Sequence, residues 1–161
     1  PGPGQLVNLS TRGLSRGGEG VLTAGFVVDG AGGRNILVRA VGPGLQDMKV
    51  PNWLPNPRLR LQRLGGALLV ENDNWGERGG AGIVAAAGRT GAFPLLPGSF
   101  DAAVATRVEH GLCTAQAEAG GANSGIALVE VYDASLAESS PARLVNISTR
   151  GEVGRGEPHV T

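Results

Sequence analysis

The sequence predicts an all-β protein, an antiparallel β-sandwich or jelly roll of about nine strands with one short helix. Three observations predict this fold class. Short runs of β-branched and other apolar residues recur along the 161-residue chain, Gly, Pro, Asn and Asp separate these runs, and the 28 Gly and 10 Pro disfavour long helices. Many short strands spaced in this way are typical of sandwiches and barrels.

Nine segments carry the strand pattern. In chain order they are residues 6–10, 21–28, 36–41, 58–64, 67–71, 102–108, 112–118, 126–132 and 144–148. The fourth segment, RLRLQRL, alternates Arg with Leu, which is the period of a strand with one solvated face. Gly65 and Gly66 follow it and predict a hairpin turn into the fifth strand.

The segments between the strands predict one helix and two long connections. Residues 81–88 are rich in Ala and predict the short helix. Residues 42–57, GPGLQDMKVPNWLPNP, predict an irregular loop that is packed by Trp53, and residues 133–142 predict a linker.

Composition excludes several classes of function. The 14 basic and 14 acidic residues balance, whereas nucleic-acid binders and polybasic membrane anchors carry a basic excess. No apolar run is long enough to predict a transmembrane helix. Cys113 is the single cysteine, so the sequence excludes an intrachain disulfide and a cysteine-based metal site.

The chain contains one internal repeat. Residues 6–13 read LVNLSTRG and residues 144–151 read LVNISTRG, an offset of 138 residues (144 − 6). Seven of the eight positions are identical, and the eighth pairs Leu9 with Ile147. A repeat at this distance indicates a tandem module with a period near 138 residues.

The repeat also predicts the domain organisation. We expect residues 1–142 to form one β-sandwich module, and residues 143–161 to begin a second repeat or to project as a strand that pairs with a neighbouring unit. The alternative is that one β-motif was duplicated within a single sandwich. Because the chain begins with Pro1, we expect a processed terminus or a segment of a longer chain.

Each copy of the repeat alternates apolar with polar residues, as a half-buried strand does. The N-terminal repeat strand consists of Leu6, Val7, Asn8, Leu9, Ser10 and Thr11, and the assembly strand consists of Leu144, Val145, Asn146, Ile147, Ser148 and Thr149. We expect the second copy to project from the body with few contacts to residues 20–132. Addition of this strand to the sheet of a neighbouring copy would join units head to tail and, where no ring closes, produce a filament.

No arrangement of residues predicts catalysis. Residues 13–17, GLSRG, match the G-x-S-x-G elbow of hydrolases, but a strand-like segment follows Ser15 where the elbow requires a helix. His110 borders a predicted hairpin turn and Cys113 lies within a predicted strand, so the pattern assigns neither a base nor a nucleophile. We therefore expect that the protein is not an enzyme.

One run of oxygen-bearing side chains offers a candidate cation site. Asn72, Asp73 and Asn74, with Asp101 from a neighbouring loop, carry the oxygen ligands that Ca²⁺ prefers. The ordered spacing of a calcium loop is absent, so the sequence favours a structural corner in which Asn72 or Asp73 binds nearby backbone groups. We expect no other cofactor, and we expect Trp75 to be buried as a cap on the sandwich rather than exposed as a platform for sugars.

Several motifs in series resemble a known kind of module. LVNLSTRG, ILVRAVGPGL, ENDNW, GIALVEVYD and LVNISTRG follow one another, as in tandem β-sandwich repeat modules of large secreted and surface-exposed bacterial proteins. The series is also distantly similar to the pre-peptidase C-terminal type of β-sandwich. The resemblance implies a β-sandwich in an extracellular or cell-surface setting, and it implies no catalytic activity.

The predicted function follows from the repeat and the resemblance. We expect a structural subunit or module of an extracellular bacterial filament or surface array, whose partners are copies of itself or adjacent repeat modules joined head to tail. The alternative is a non-catalytic binding module, for carbohydrate or a cell surface, in a secreted multidomain protein. Neither prediction includes nucleic-acid binding or membrane insertion.

Overall fold

The computed structural model describes residues 5–120, 123–135 and 141–152, and it confirms the predicted all-β fold. The described residues form nine strands and one α-helix. The strands are β1 (Asn8–Arg16), β2 (Leu22–Asp29), β3 (Arg34–Val41), β4 (Pro57–Arg63), β5 (Leu68–Asn72), β6 (Ala102–Val108), β7 (Gly111–Ala119), β8 (Ser124–Asp133) and β9 (Arg143–Arg150). The helix, α1 (Gly80–Thr90), lies between β5 and β6.

Within the described residues, the strands form two antiparallel sheets that pack face to face. The four-stranded sheet has the order β1-β8-β3-β6, and the five-stranded sheet has the order β5-β4-β7-β2-β9. Alternate residues of the strands point into the space between the sheets. Leu22, Phe26 and Val28 of β2 share this core with Ile36 and Val38 of β3.

The β4–β5 hairpin predicted from two glycines is confirmed. The Arg63 N–H donates to the Ala67 carbonyl at 2.8 Å, and the Gly66 N–H donates to the Arg63 carbonyl at 3.0 Å. Gly65 and Gly66 have φ angles of +94° and +89°, which residues with a side chain rarely adopt. The Gly-Gly pair therefore sets this turn.

A second apolar cluster covers the outer face of the four-stranded sheet. Leu37 and Val41 of β3 and Leu128 of β8 pack there against Ile83 and Ala86 of α1. Since β3 and β8 are covered on both faces, their sequences are almost continuously apolar instead of alternating. A charged residue within either strand is consequently buried whichever face it occupies.

The long loop of residues 42–57 folds back onto both apolar clusters. Leu54 is fully buried, and its N–H donates to the Ile126 carbonyl at 2.8 Å, while the Ile126 N–H donates to the Asn52 carbonyl at 2.8 Å. Trp53 packs against the outer cluster as predicted, but it is only half-buried, whereas Leu45 and Leu54 of this loop are fully buried.

The described ends of segment 133–142 belong to the sandwich, so the linker prediction is wrong there. Asp133 ends β8, and its buried carboxylate accepts a hydrogen bond from Arg34 Nε at 2.9 Å. Ala142 is 1% exposed in the core between the sheets. Arg34 is itself buried and needs a carboxylate partner, which explains why Asp133 is held in place. Residues 136–140 lie outside the described residues.

The prediction of a projecting assembly strand is wrong for residues 143–150. These residues form β9, which pairs antiparallel with β2 from Asp29–Arg143 to Thr23–Arg150. The sandwich therefore extends beyond residue 142, and both copies of the repeat lie in it, as the alternative of a duplicated β-motif states. The physical reason is that an edge in the same chain is present at a far higher effective concentration than an edge in a neighbour. Residues 153–161 lie outside the described residues.

Candidate functional site

The two copies of the repeat form edge strands of the two sheets, on the same side of the sandwich. β1 pairs with β8 at one edge of the four-stranded sheet, and β9 pairs with β2 at one edge of the five-stranded sheet. Leu6 and Leu144 form an isolated antiparallel bridge between the two copies. At the other end, Arg16 Nε lies 3.3 Å from Glu152 Oε2. These two edge strands constitute the candidate assembly site.

The first copy of the repeat fits its sheet as a regular strand. The register between β1 and β8 runs without a shift from Asn8–Tyr132 to Arg16–Ser124. Leu9 and Thr11 point into the core and are 6% and 3% exposed. Val7 is the exception to the predicted alternation, because it precedes β1 and is exposed.

The second copy of the repeat fits its sheet less regularly. Leu144 is buried, but the register with β2 shifts between Phe26 and Val27, where Asn146 takes a left-handed φ of +54°. A bulge of this kind leaves one extra residue unpaired and bends the strand. Beyond the bulge, Ile147 is 46% exposed and Thr149 is also exposed, although their counterparts in the first copy are buried. The same sequence thus occupies two different environments.

The edge of the second copy is open in the described part of the chain. Apart from the bridge between Leu6 and Leu144, no described strand pairs with the side of β9 that faces away from β2. An edge strand with unpaired backbone groups and an exposed Ile is a template for pairing with another chain. The open edge of β9 can therefore form main-chain hydrogen bonds with another strand and bury apolar side chains against it.

The Glu71–Trp75 corner is structural, as predicted. Asn72 Nδ2 donates to the Asn74 carbonyl at 3.2 Å, and Asn72 Oδ1 accepts from the Ala103 N–H at 3.0 Å. Trp75 is 7% exposed, and its Nε1–H donates to the Leu96 carbonyl at 3.2 Å. The prediction that Trp75 is buried is confirmed, and it packs in the outer cluster with Ile83 and Ala86 of α1.

Asp101 is engaged by donors of the protein itself. Its carboxylate is fully buried and accepts from the Gly42 N–H at 2.8 Å, the Gly44 N–H at 3.1 Å and the Ser99 hydroxyl at 2.7 Å. Among the described residues, no group of three or more His, Cys, Asp or Glu side chains is placed to hold a metal ion. Asp101 therefore fastens the loop after β3 to the start of β6, and both of its carboxylate oxygens accept hydrogen bonds from these donors.

Replacing Asp101 with Ala is expected to lower the free energy of unfolding by about 2 kcal/mol, because two backbone N–H groups and one hydroxyl lose a charged acceptor. Urea denaturation followed by tryptophan fluorescence measures the change. Asp73→Ala, at an exposed position, is the matched control and should shift stability by less than about 0.5 kcal/mol. A calcium-dependent rise in stability that Asp101→Ala abolishes would contradict the structural role.

The residues weighed for catalysis occupy separate structural positions. The Ser15 hydroxyl is buried within β1 and donates to the Ala117 carbonyl at 2.5 Å. The His110 side chain is exposed, with its Nδ1 3.9 Å from Asp29 Oδ1. Cys113 is buried in the core, where burial raises the pKa of its thiol. No described histidine or carboxylate is hydrogen-bonded to Ser15.

Sequence analysis missed a buried ionic network on the outer face of the four-stranded sheet. Arg39 of β3 stands opposite Glu130 of β8, and the two residues are 0% and 4% exposed. Arg39 Nε donates to Glu130 Oε2 at 2.8 Å, and Nη2 donates to the same oxygen. Arg39 Nη1 donates to the Phe93 carbonyl, and the guanidinium carbon lies 4.0 Å from the centre of the Phe93 ring. The Tyr132 hydroxyl donates to Glu130 Oε1 at 2.7 Å and completes the network.

A cavity of about 270 Å³ lies over this network, between α1 and the segment that follows it. The lining residues are Arg39, Trp75, Ile83, Val84, Ala87, Gly88, Ala92, Pro94 and Leu95. Apart from Arg39, whose charge is balanced by Glu130, the lining is almost entirely apolar. The cavity is suited to a compact uncharged molecule, and its volume lies just below the range of about 300–1,000 Å³ that is usual for ligand pockets.

Tyr132 gives the network a spectroscopic signature. Burial, followed by the hydrogen bond to Glu130, raises the pKa of Tyr132 from its ordinary value of 10.0 to about 12. Since Tyr132 is the single tyrosine of the chain, absorbance of tyrosinate at alkaline pH reports on it alone. We expect a titration midpoint near pH 12 in the folded protein, and no tyrosinate step in Tyr132→Phe.

The same pKa shift makes stability depend on pH. Because the unfolded chain releases the phenolic proton at a lower pH than the folded chain, this contribution to stability is complete below about pH 10 and falls between about pH 10 and pH 12. Denaturation in urea at a series of pH values measures this loss of unfolding free energy. The loss between about pH 10 and pH 12 should be smaller in Tyr132→Phe. A midpoint near pH 10 while circular dichroism still shows the native fold would contradict the network.

The chain was compared with protein-family models, with curated proteins and with solved structures, and none of the three comparisons gave a match. The described residues include no helix long and apolar enough to span a membrane.

Proposed function

We propose that the chain is a structural module of an extracellular bacterial filament or surface array, and that it associates head to tail with copies of itself or with adjacent repeat modules. One observation carries the proposal: a nearly identical sequence is buried as a regular strand in β1 and left half-exposed as a bulged edge strand in β9. Ile147, apolar and 46% exposed beside an open edge, is the residue that a neighbour would cover. The balanced charge of the chain allows copies to approach without net repulsion.

The proposed partner and the proposed mode of contact follow from the same edge. A strand edge recognises another strand through main-chain hydrogen bonds, with side-chain pockets fixing the register. The edge of β9 and the edge of β1 belong to different sheets, so a contact of the β9 edge of one copy with the β1 edge of the next would be heterologous and would continue from copy to copy. The resemblance to tandem modules of secreted and surface-exposed bacterial proteins supports the extracellular part of the proposal.

The concentration dependence of molar mass tests the proposal. We expect light scattering on the purified chain to show mass rising with concentration, and electron microscopy to show linear assemblies. Ile147→Lys should remove this association, whereas Val84→Lys, a matched change at an exposed apolar position on α1, should retain it. A chain that stays monomeric at every concentration, or an Ile147→Lys variant that assembles as well as the wild type, would overturn the proposal.

A second candidate function is a non-catalytic binding module, and the cavity over Arg39 is the observation that favours it. Trp75 lines the cavity, so its fluorescence should change when a small molecule enters. The size and apolar lining fit a compact apolar molecule better than a carbohydrate chain, which requires exposed rings. Saturable quenching by a small apolar compound, lost in a cavity-filling Ala87→Leu variant, would favour this function over assembly.

A further inference from the structure

The β8 edge, which pairs with the first copy of the repeat, is also an edge that the second copy of a neighbouring chain can occupy. Resting on the proposed self-association, we infer that residues 144–151 of one copy pair with the β8 edge of a second copy, in the place of that copy's residues 6–13. This is strand exchange and not addition to an empty edge, since β8 is already paired with β1 on one side and with β3 on the other. The partner is therefore a second copy of this chain with its own first repeat strand displaced.

The β8 edge fits the repeat sequence better than the β2 edge does. At β8, the first copy forms a strand without a register shift, and Asn8 is not among the described residues with positive φ. At β2, the second copy requires the bulge at Asn146, whose φ is +54°. An Asn in this conformation is tolerated, but the regular strand is free of that distortion. Exchange would thus place the second copy where its backbone needs no bulge.

Exchange would also bury the apolar residue that β9 leaves exposed. Moving residues 144–151 into the β1 position, offset by 138 residues, sets Ile147 opposite Val131 and Thr149 opposite Val129, as Leu9 and Thr11 are now. Leu9 is 6% exposed in that position, against 46% for Ile147 at the β2 edge. Leu9 of the displaced strand gives up the burial that Ile147 gains, so the removal of the bulge at Asn146 is what favours the exchanged state.

The displaced strand is peripheral, which makes exchange feasible. In the described residues, β1 hydrogen-bonds as a strand to β8 alone, and its removal leaves β8 paired with β3. Ser10 stands opposite Glu130 on β1, and Ser148 would take its place, so the residue type beside the buried network stays the same. The incoming strand would therefore restore the same environment around Arg39, Glu130 and Tyr132.

Disulfide trapping between two full-length chains tests the register. All variants carry Cys113→Ala, which removes the native thiol. One chain carries Glu152→Cys and the other carries Ile126→Cys, because Glu152 would stand where Leu14 now faces Ile126. The matched control pairs Glu152→Cys with Ser124→Cys, two residues out of register and too distant for a disulfide in the inferred arrangement.

We expect the in-register pair to form a mixed disulfide dimer in several-fold higher yield than the control pair. Equal yields, or a higher yield for the control, would overturn the inference. If light scattering still shows association in that case, the proposed function survives and only the exchange at β8 is lost. If the chain does not associate at all, both are lost.

Peptide binding to the unmodified full chain tests the inference without any cysteine variant, so the result does not depend on whether those variants fold. A biotinylated peptide with the sequence of residues 143–151, RLVNISTRG, should bind the chain and increase hydrogen exchange of the β1 amides. The same peptide with Ile147→Asp should bind at least several-fold more weakly. Absence of binding by the first peptide, or unchanged protection of β1 when it is bound, would overturn the inference.

Discussion

Replacing Glu130 with Ala is expected to lower the free energy of unfolding by about 3–5 kcal/mol. The substitution leaves the Arg39 guanidinium, which is fully buried, without the carboxylate that accepts two of its donors. Most of the loss comes from the uncompensated buried charge, and not from the attraction between the two groups. Urea denaturation monitored by tryptophan fluorescence, analysed as a two-state transition, measures the change.

The exposed ion pair between Arg58 and Glu71 provides the matched control. Arg58 Nη2 lies 2.9 Å from Glu71 Oε1, but the two side chains are 49% and 40% exposed. Because solvent screens this pair, Glu71→Ala should change the free energy of unfolding by less than about 1 kcal/mol. Equal losses for Glu130→Ala and Glu71→Ala would show that the Arg39–Glu130 pair is not buried as described.

The double variant Arg39→Met, Glu130→Leu separates charge compensation from packing. Two apolar side chains of similar length remove both charges together, so most of the stability lost in Glu130→Ala should return. The Phe93 carbonyl would lose the Arg39 donor and the Tyr132 hydroxyl would lose its acceptor, which limits the recovery. A double variant less stable than Glu130→Ala would mean that the ionic network itself, and not its balance of charge, holds β3, β8 and the segment at Phe93 together.

The elements of this fold could be predicted from local sequence where one period dominates. The alternation of Arg with Leu in β4, the two glycines after it and the Ala-rich segment of α1 each indicate the structure that forms. Such patterns report on neighbouring residues, and neighbouring residues suffice to set a strand, a turn or a helix. The Trp75 corner was predictable for the same reason, because Asn72 bonds within its own turn.

The ionic network could not be predicted because its members are distant in the sequence. Arg39 and Glu130 are 91 residues apart, and only the strand order β8-β3 places them opposite one another. The signal that was available is a charged residue inside an apolar strand, Arg39 in ILVRAV and Glu130 in IALVEVY. That pattern indicates a buried charge in need of a partner, but the partner depends on topology.

The two environments of the repeat were likewise beyond local sequence. Leu9 and Ile147 stand at equivalent positions in nearly identical octapeptides, and the patterns predict the same half-buried strand for both. The difference arises from which sheet receives each copy: β8 offers a regular edge to the first, and β2 imposes a bulge on the second. A local pattern cannot express that difference, so a projecting strand was predicted where an edge strand forms.

This difference leads to the second large expected effect: Leu9→Ala should destabilise the monomer by about 2–5 kcal/mol, and Ile147→Ala by less than about 1 kcal/mol. Leu9 is 6% exposed and packs in the core between the sheets, so truncation leaves a cavity there. Ile147 is 46% exposed at an edge, so its truncation removes little buried surface. Urea denaturation at a concentration low enough to keep the chain monomeric measures both changes.

The same pair of variants distinguishes folding from assembly. In the inferred exchange, Ile147 moves from an exposed edge to a position equivalent to that of Leu9, and in either form of assembly a neighbour covers it, so Ile147→Ala should weaken association far more than it weakens the monomer. Leu144 is buried at the β2 edge, so Leu144→Ala should lower the stability of the monomer more than it weakens association, the opposite of Ile147→Ala. If Ile147→Ala instead destabilises the monomer as much as Leu9→Ala does, the second copy is already fully packed within its own sandwich, and it has no apolar surface left to offer a neighbour.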